Sequence, residues 1–416
     1  MSKGDRGGFG QRGDGRLDRR DFLRTAGLIG AGALGPASLL LPQGVARAAD
    51  PFRLGWVRPT TGRLASSFHM LYVGGLIAVE EINAAGGIMG RPIVRVEEDD
   101  EASPAREPAV VKKLQELGIR HMAGPTGSSQ SLSSLATTTP AKIIQASYAN
   151  GAELGDGTKY PYHYQFTFNT NQQAEISVRY LVETLKVKKV GIIQENTAFG
   201  EQATAASRAI LTKLGLEPVK VEVYPLNAPD LNTYVSNLRK AGAEGLIAWI
   251  ASVPGAAMAF NAMHAQKWQP PITGHNGLFT ESLFDLVPEE ALKSVYGTNY
   301  RTLTWTDSEF PGEKQVAFAK KLVAFPETKG SGVAVANAPF YDYLHALKMV
   351  IEGEKSFEPD VIKRALDNLK GYKGLLGTVS FTPQNHTGIP TEDVVLASIL
   401  SGKNPKSAGV FRERAK

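Results

Sequence analysis

The chain of 416 residues contains no cysteine. This excludes a disulfide framework, a thiol nucleophile and any metal site built on cysteine sulfur. Its seven histidines show no H-E-x-x-H pattern or other tight pairing, and no serine lies in a G-x-S-x-G elbow. No glycine-rich nucleotide or dinucleotide motif is present either. The sequence therefore lacks the common signatures of hydrolases, metalloenzymes and nucleotide-dependent enzymes.

An excess of positive charge is also missing from most of the chain. Residues 1–48 hold eight lysines and arginines against four acids, which leaves 38 basic and 37 acidic residues in the remainder. A nucleic-acid surface needs clustered positive charge, and a nearly neutral body does not provide it. We therefore expect no nucleic-acid partner.

The N-terminal segment has the pattern of an export signal. The twin arginines Arg19 and Arg20 precede a charge-free stretch over 26–46, and Ala46-Arg47-Ala48 matches an A-x-A cleavage site. Five glycines and two prolines within the stretch weaken the alternative of an uncleaved membrane anchor. The sequence thus predicts a Tat signal peptide over 1–48, cleaved near Ala48, and a mature protein in the periplasm.

Strand and helix patterns alternate through the rest of the chain. Between residues 52 and 146, short apolar runs alternate with helical segments in the order β-α-β-α-β-α-β, and a similar series restarts after residue 170. Such alternation implies parallel sheets covered by helices, and the chain length agrees with two domains. We expect an α/β protein of two units, with further helices and two strands in the tail.

Two facing α/β units form a cleft, because ligands of open parallel sheets bind beyond the carboxyl ends of the strands. The most informative loop there is 124–131, Gly-Pro-Thr-Gly-Ser-Ser-Gln-Ser, between a predicted strand over 119–123 and a predicted helix over 131–139. Free N–H groups at a helix start suit a carboxylate. Serines at such a position are also common as simple helix caps. Both interpretations of this loop stay open on the sequence alone.

The segment 78–93, with the sequence AVEEINAAGGIMGRPI, resembles the periplasmic solute-binding proteins of ABC importers, in their branched-chain amino acid-binding-like family. The resemblance covers about 52–400 and includes Thr61-Gly62, Asp99-Asp100, Gly124 with the serines after it, Phe199-Gly200 and Tyr341-Asp342. It implies the type I periplasmic binding protein fold, with two Rossmann-like lobes of parallel sheets joined by a three-segment hinge. The expected lobe boundaries are 49–168 plus 300–377 for lobe 1, and 169–299 plus 378–416 for lobe 2.

The resemblance also implies how a ligand is held. Serine hydroxyls and N–H groups of the turn at 124–131 would hold a ligand carboxylate, with help from the end of the next strand. An aromatic residue of the second lobe would close over the ligand. The implied ligand-binding residues are Ser66, Ser67, Ser128, Ser129, Ser147, Tyr148, Ala149, Asn171, Glu195, Phe199 and Asn276.

Two departures from the family pattern leave the ligand open. Amino acid binders of the family place acids where the ligand's ammonium group lies, and this chain has Asn171 and Asn276 at two such positions. A buried ammonium group without a carboxylate partner is costly. Either Glu195 or another acid therefore replaces them, or the ligand has no ammonium group, as in amides, urea and aromatic acids.

These features predict the extracytoplasmic substrate-binding component of an ABC importer, and not an enzyme. It would bind a small amino acid, amide or carboxylate between its lobes and work with membrane permease and ATPase subunits. We expect a monomer without a cofactor or a metal ion. A ligand-sensing module of the same fold that feeds a signalling partner is the alternative. An α/β hydrolase is a third possibility, which the missing nucleophile elbow disfavours.

Overall fold

The computed structural model describes residues 50–62, 65–279, 282–326 and 337–416, without the side chains of Ser66, His69 and Met70. The predicted signal peptide over 1–48 lies outside these residues, so export by the Tat route and cleavage near Ala48 stay predictions. None of the described helices combines the length and the apolar character needed to cross a membrane.

Two sheets form the framework of the described chain. The first sheet is parallel, in the order β2-β1-β3-β4-β5, and consists of β1 Phe52–Val57, β2 Ile93–Glu98, β3 His121–Thr126, β4 Ile144–Tyr148 and β5 His163–Tyr164. The second has the order β14-β10-β9-β8-β6-β7 and consists of β6 Val190–Glu195, β7 Lys220–Tyr224, β8 Gly245–Trp249, β9 Ile272–Gly274, β10 Val295–Tyr300 and β14 Val394–Ser398. Strand β14 runs antiparallel to β10, whereas the other pairs of this sheet are parallel.

Shorter strands pair outside these sheets in the described residues. They are β11 Thr304–Trp305 with β15 Arg412–Glu413, and β12 Tyr372–Lys373 with β13 Thr378–Val379. The described α-helices are α1 Ala65–Phe68, α2 Val73–Ala84, α3 Glu107–Glu116, α4 Ser128–Thr138, α5 Thr170–Arg179, α6 Ala198–Lys213, α7 Asn232–Lys240, α8 Val253–Ala265, α9 Leu283–Leu286, α10 Glu313–Ala324, α11 Pro339–Glu354 and α12 Pro359–Asp367. We call the five-stranded sheet with its helices lobe 1 and the six-stranded sheet with its helices lobe 2.

This order confirms the α/β class with parallel sheets. The series β-α-β-α-β-α-β predicted between residues 52 and 146 is present as β1 to β4 with their intervening helices, and β3 begins and ends within three residues of the strand predicted over 119–123. Helix α5 was not predicted, because most of the positions that it buries are polar or small, namely Thr170, Gln173, Ala174, Ser177 and Val178. An apolar stripe, which is the main sequence signal for a surface helix, is therefore missing there.

The described chain passes between the two sheets three times, over 165–169, 301–312 and 380–393. These segments touch one another through side chains. Thr387 Oγ1 donates to Gln165 Oε1 at 2.8 Å, and Arg301 Nε donates to the Glu392 carbonyl at 3.1 Å. The joint between the lobes therefore consists of several connecting segments, an arrangement that suits hinge bending.

Helix α2 lies very close to the first sheet and to α11. Trp56, Tyr72 and Phe340 pack there as a buried aromatic cluster. At Gly75, a Cβ atom would lie 2.6 Å from Trp56 Cη2 and 2.9 Å from Phe340 Cβ. Only a residue without a side chain allows this approach, so the position of α2 depends on Gly75.

The substitution Gly75→Ala should therefore destabilise lobe 1. Forcing a methyl group into a filled core costs about 1–3 kcal/mol, and we expect a loss of this size in the free energy of unfolding from urea titration. The control is Gly353→Ala in α11, where an added Cβ would meet no atom within 4 Å. That helical substitution should stabilise by about 0.5–1 kcal/mol. Equal effects of the two substitutions would contradict the close packing of α2.

Candidate functional site

A cavity of about 210 Å³ lies between the lobes. On lobe 1 it meets the carboxyl ends of β3 and β4, and on lobe 2 the carboxyl ends of β6, β8 and β9. Parallel strands leave their ends and the following loops free for binding at this edge. The predicted cleft is therefore present as a cavity to which both lobes contribute walls.

The cavity brings together most of the residues predicted to bind a ligand. Its lining includes Ser67, Ser128, Ser129, Tyr148, Ala149, Glu195 and Phe199. The side chain of Ser66 lies outside the described part of the structure, so its predicted contact is left untested.

Three predicted residues do not line the cavity. Ser147 and Tyr148 are successive strand residues whose side chains point to opposite faces, and the Ser147 hydroxyl lies 2.7 Å from His163 Nε2. Asn171 belongs to the first turn of α5 and lines a separate polar pocket among the hinge segments. Asn276 is fully buried and donates from Nδ2 to the Tyr148 hydroxyl at 2.7 Å, so it supports a lining residue from behind.

Helix α4 directs its N-terminus at the cavity. It begins at Ser128, three residues before the predicted start, and follows Gly127, whose φ of 98° is a left-handed conformation that favours glycine. The first hydrogen bond of the helix runs from Ser131 N–H to the Gly127 carbonyl at 2.9 Å. The N–H groups of Ser128, Ser129 and Gln130 therefore precede the helical hydrogen bonds, and all three residues line the cavity.

The serines of this loop do not act as the helix cap. The capping position is held by Gly127, which has no side chain to donate or accept. Ser128 Oγ instead accepts the Gly151 N–H at 2.9 Å within lobe 1, and Ser129 Oγ accepts the Ala198 N–H of lobe 2 at 3.1 Å. Each hydroxyl keeps its own proton for a further acceptor. The interpretation of a simple serine cap is thus wrong for this loop.

The two lobes touch directly around the cavity. Besides the bond from Ala198 to Ser129 and the bond from Asn276 to Tyr148, the side chain of His275 lies 3.1 Å from Asn150 Oδ1. These hydrogen bonds join opposite walls of the cavity. The structure therefore represents a closed arrangement of the lobes.

Glu195 places a carboxylate in this closed space. It is the last residue of β6 and is 4% exposed. Its Oε1 accepts from the Thr197 hydroxyl at 2.9 Å and its Oε2 accepts from the Ala251 N–H at 3.0 Å. Burial raises the pKa of Glu195, and these two hydrogen bonds oppose that effect. Among the described residues that line the cavity, Glu195 is the only carboxylic acid, and the same lining contains no lysine or arginine.

His275 does not compensate this charge. Its Nδ1 accepts from the Gly277 N–H at 2.9 Å, so the proton lies on Nε2 and is donated to Asn150 Oδ1. Burial lowers the pKa of His275 to about 3, which makes the ring neutral at physiological pH. The ring packs edge-on against Phe199, with 4.6 Å between the centroids. Its role is to shape and align the wall of the cavity.

An apolar wall completes the site. Phe68 and Leu71 come from lobe 1, and Leu226 from lobe 2. The rule for parallel sheets places the loops that contain Phe68 and His275 at the cleft, but no local pattern marks either side chain as a ligand contact. Leu71 and Leu226 were not predicted there. Leu226 follows the edge strand β7, and Leu71 follows α1 without a sequence signal that separates it from ordinary core residues.

Comparisons with known proteins agree with this geometry. A family model described as periplasmic binding protein matches residues 51–404. The chain is 29% identical over 232 residues to the amino acid binding protein of Pseudomonas aeruginosa, which covers 55% of this chain and 62% of that protein. It is 23% identical over 344 residues to Leu/Ile/Val-binding protein homolog 3 of Brucella melitensis, covering 82% of this chain and 90% of the relative.

Solved structures share the same fold. A periplasmic binding protein type 1 from Bordetella pertussis matches with a TM-score of 0.77 at 22% identity, covering 88% of this chain and 100% of that one. The branched-chain amino acid transporter substrate binding protein LivJ of Streptococcus pneumoniae, in complex with isoleucine, matches with a TM-score of 0.74 at 22% identity and the same coverage. A solute binding protein of Rhodopseudomonas palustris in complex with 4-hydroxybenzoate has a TM-score of 0.73 at 17% identity, covering 87% of this chain and 95% of that one.

The two lobes, the three connecting segments and the family match over 51–404 lead to one conclusion. The chain belongs to the periplasmic binding protein family.

Proposed function

We propose that this protein binds an α-amino acid between its lobes as the substrate-binding component of an ABC importer. The observation that carries the proposal is the Glu195 carboxylate, buried in the cavity with hydrogen-bond donors and without a lysine or arginine among the described lining residues. The ligand's ammonium group would lie against Glu195. Its carboxylate would lie at the N-terminus of α4.

An ammonium ligand explains why an acid is retained at this position. A buried carboxylate destabilises the closed protein unless a positive charge comes close. The lining offers none, and the neutral His275 contributes none. A ligand cation would supply it at the moment of binding. Glu195 would thus bind the ammonium group, a role for which the uncharged Asn171 and Asn276 are poor candidates.

The lobe 1 wall of the cavity suits a carboxylate. The N–H groups of Ser128, Ser129 and Gln130 and the partial positive charge of the α4 N-terminus favour an anion there. The hydroxyl protons of the two serines are available as further donors. An α-amino acid carries both charges two bonds apart on one carbon atom, so a zwitterion would satisfy both ends.

The remaining wall favours an apolar side chain next to the α-carbon. Phe68, Leu71 and Leu226 would cover it, and burying such a group contributes about 1.5–3 kcal/mol. The names of the amino acid-binding relatives agree with this chemistry. An aromatic acid without an ammonium group, like the 4-hydroxybenzoate of one structural neighbour, would instead meet the uncompensated Glu195.

A neutral amide is the second candidate ligand. Burial raises the pKa of Glu195, and a protonated carboxyl group could donate to an amide carbonyl. The two candidates require opposite protonation states of the same residue. The pH dependence of binding therefore separates them.

The transport role is part of the same proposal. Ligand that contacts both lobes would favour the closed state, and the closed form would be presented to membrane permease and ATPase subunits. The twin-arginine segment supports export and cleavage near Ala48, and we propose a periplasmic monomer with lobe boundaries at 49–168 plus 300–377 and at 169–299 plus 378–416. A sensing module would use the same ligand site and differ in its partner.

The substitution Glu195→Gln should abolish tight amino acid binding. Removing one partner of a buried charge pair costs about 2–5 kcal/mol, so the Kd for L-isoleucine in a calorimetric titration should rise at least about 30-fold. The amide retains the shape and can still accept from Ala251 and reach the Thr197 hydroxyl. The exposed Glu201→Gln in α6 is the control and should leave the Kd unchanged.

The same variant should also change the stability of the ligand-free protein. The folded-state pKa of Glu195 is raised, so the wild type loses stability as the pH rises from the unfolded pKa through the folded one. Glu195→Gln should therefore melt at a higher temperature than wild type at pH 8, with a smaller gain at pH 4. An unchanged Kd for isoleucine would overturn the assignment of Glu195.

Binding of an amino acid should release a proton at mildly acidic pH. An ammonium group beside Glu195 lowers the pKa that burial has raised, so affinity should fall as the pH drops through the ligand-free pKa. Isothermal titration of L-isoleucine in buffers of different ionisation enthalpy, between pH 5 and 7, measures the released proton. Proton uptake, with affinity that rises as the pH falls, would favour a neutral amide instead.

The substitution Ser129→Ala should weaken the binding of all ligands by the same factor. It removes the acceptor of the Ala198 N–H, a hydrogen bond between the lobes worth about 0.5–1.5 kcal/mol, so the Kd values of isoleucine and valine should both rise about 2- to 13-fold. Small-angle scattering should show a larger radius of gyration for the ligand-free variant. The matched Ser128→Ala removes a bond within lobe 1 and should not expand the protein.

A further inference from the structure

A second cavity, of about 340 Å³, lies next to the first. The two share Ala102 of lobe 1 and Leu226 of lobe 2 as lining residues. These two residues therefore lie at the boundary between the cavities, which we call the constriction. Because they belong to different lobes, the width of this boundary depends on the separation of the lobes.

The second cavity contains a buried hydroxyl without a satisfied hydrogen bond. Tyr224 is the last residue of β7 and is 1% exposed, and its hydroxyl oxygen has no hydrogen bond of normal geometry among the described residues. Burial raises the pKa of Tyr224, and the nearby Ser252 hydroxyl lowers it in part. A buried polar group without a partner is costly, and native proteins rarely keep one without a reason.

Gly255 keeps the space in front of these hydroxyls open. A Cβ atom at this position would lie 2.7 Å from the Tyr224 hydroxyl oxygen and 2.7 Å from Ser252 Oγ. Ser252 Oγ accepts the Gly255 N–H at 3.2 Å and retains its own proton for another acceptor. Two hydroxyl groups therefore border a hollow that any larger residue at position 255 would fill.

The lobe 1 side of the constriction is held in an unusual conformation. Glu101 and Ala102 both have a φ of 53°, which is left-handed and rare for residues other than glycine. The Asp99 carboxylate accepts the Glu101 N–H and the Asp100 carboxylate accepts the Ala102 N–H, each at 2.9 Å. Such conformations persist where the surroundings enforce them, often at ligand clamps. The acidic pair thus fixes the edge that meets Leu226.

The charge of the second cavity restricts what enters it. Among its described lining residues, Glu101 is the only charged one, and Arg106 Nη1 neutralises it at 2.7 Å from Oε1. A charged group would find no free counter-charge on this part of the lining. Met258 and Pro254 add apolar surface beside the hydroxyls. The cavity therefore suits an apolar stem that ends in an uncharged hydrogen-bonding group.

We infer that the second cavity is a side-chain subsite for α-amino acids with long side chains that end in a carboxamide or a hydroxyl group. The stem would pass between Ala102 and Leu226, and its polar end would meet the hydroxyls of Tyr224 and Ser252. Opening of the lobes would admit the side chain, and closure would enclose it. This inference rests on the proposed amino acid function and specifies its ligand class.

Binding of matched amino acid pairs tests the subsite. Titration calorimetry on the mature protein would compare L-glutamine with L-norleucine and L-tyrosine with L-phenylalanine, with L-valine as the short reference. We expect the polar-ended member of at least one pair to bind at least tenfold more tightly than its apolar counterpart. In Tyr224→Phe, which keeps the ring and removes the orphaned hydroxyl, that preference should fall to below threefold.

Filling the hollow is the second test. In Gly255→Ala, the ratio of the Kd for the preferred long ligand to the Kd for valine should rise at least tenfold, because the added methyl group displaces both hydroxyls. Thermal melts verify that each variant is folded. If Gly255→Ala does not fold, the result for Tyr224→Phe alone tests the subsite. Binding of valine with no preference in either pair would overturn the subsite and keep the amino acid proposal. Failure of every amino acid to bind would overturn both.

Discussion

The buried carboxylate of Glu195 is the constraint on which the chemistry of this cleft depends. The fold places it at the end of β6 and gives it the Thr197 hydroxyl and the Ala251 N–H, both neutral donors. An arginine or lysine beside Glu195 would compensate the charge of its carboxylate, and the described lining contains neither. An ionised Glu195 would therefore leave one uncompensated negative charge in the described lining of the cavity. A ligand that brings a positive charge removes this defect, whereas an anion would increase it.

The backbone supplies the positively polarised part of the site, and Glu195 supplies the negative part. Gly127 turns the chain so that α4 starts with three unbonded N–H groups at the cavity, and side chains of either charge are absent from this end of the described lining. The negative pole belongs to lobe 2 and the positive one to lobe 1. For the zwitterionic ligand that we propose, recognition would therefore require closure, since neither lobe alone could neutralise both ends of the molecule.

The sequence predicted the framework because alternation of apolar strands and amphipathic helices is a local signal, and it located the loop at 124–131 by its place after a strand. It could not show which serine serves which purpose. Ser128 and Ser129 differ only in the direction in which the helix presents them. As a result, the partner of Ser128 is Gly151 of lobe 1, whereas the partner of Ser129 is Ala198 of lobe 2. Ser147 does not line the cavity because successive strand residues point to opposite faces, and its neighbour Tyr148 is the one that points inward.

Long-range contacts explain the remaining differences. Asn276 was expected to touch ligand, yet its amide is used by Tyr148, a residue 128 positions away, and no local pattern encodes that pair. Helix α5 escaped prediction because tertiary contacts, rather than an apolar stripe, bury its polar face. Asn171, which the family resemblance implied as a ligand contact, lies in the first turn of this helix and lines the pocket among the hinge segments. The family pattern predicted backbone features of the site better than it predicted the hydrogen-bond partners of single side chains.

The direct hydrogen bonds between the lobes affect the balance between the open and closed states of the unliganded protein. Ser129, Asn276 and His275 each contribute to a hydrogen bond across the cleft without any ligand atom. Each bond contributes only about 0.5–1.5 kcal/mol, and the excess charge of Glu195 acts against closure. The two effects oppose each other, so the unliganded lobes need not be strongly biased to either state. A ligand then shifts the equilibrium only by the free energy that it gains in the closed state alone, and for the proposed amino acid that gain would come from the charge placed beside Glu195.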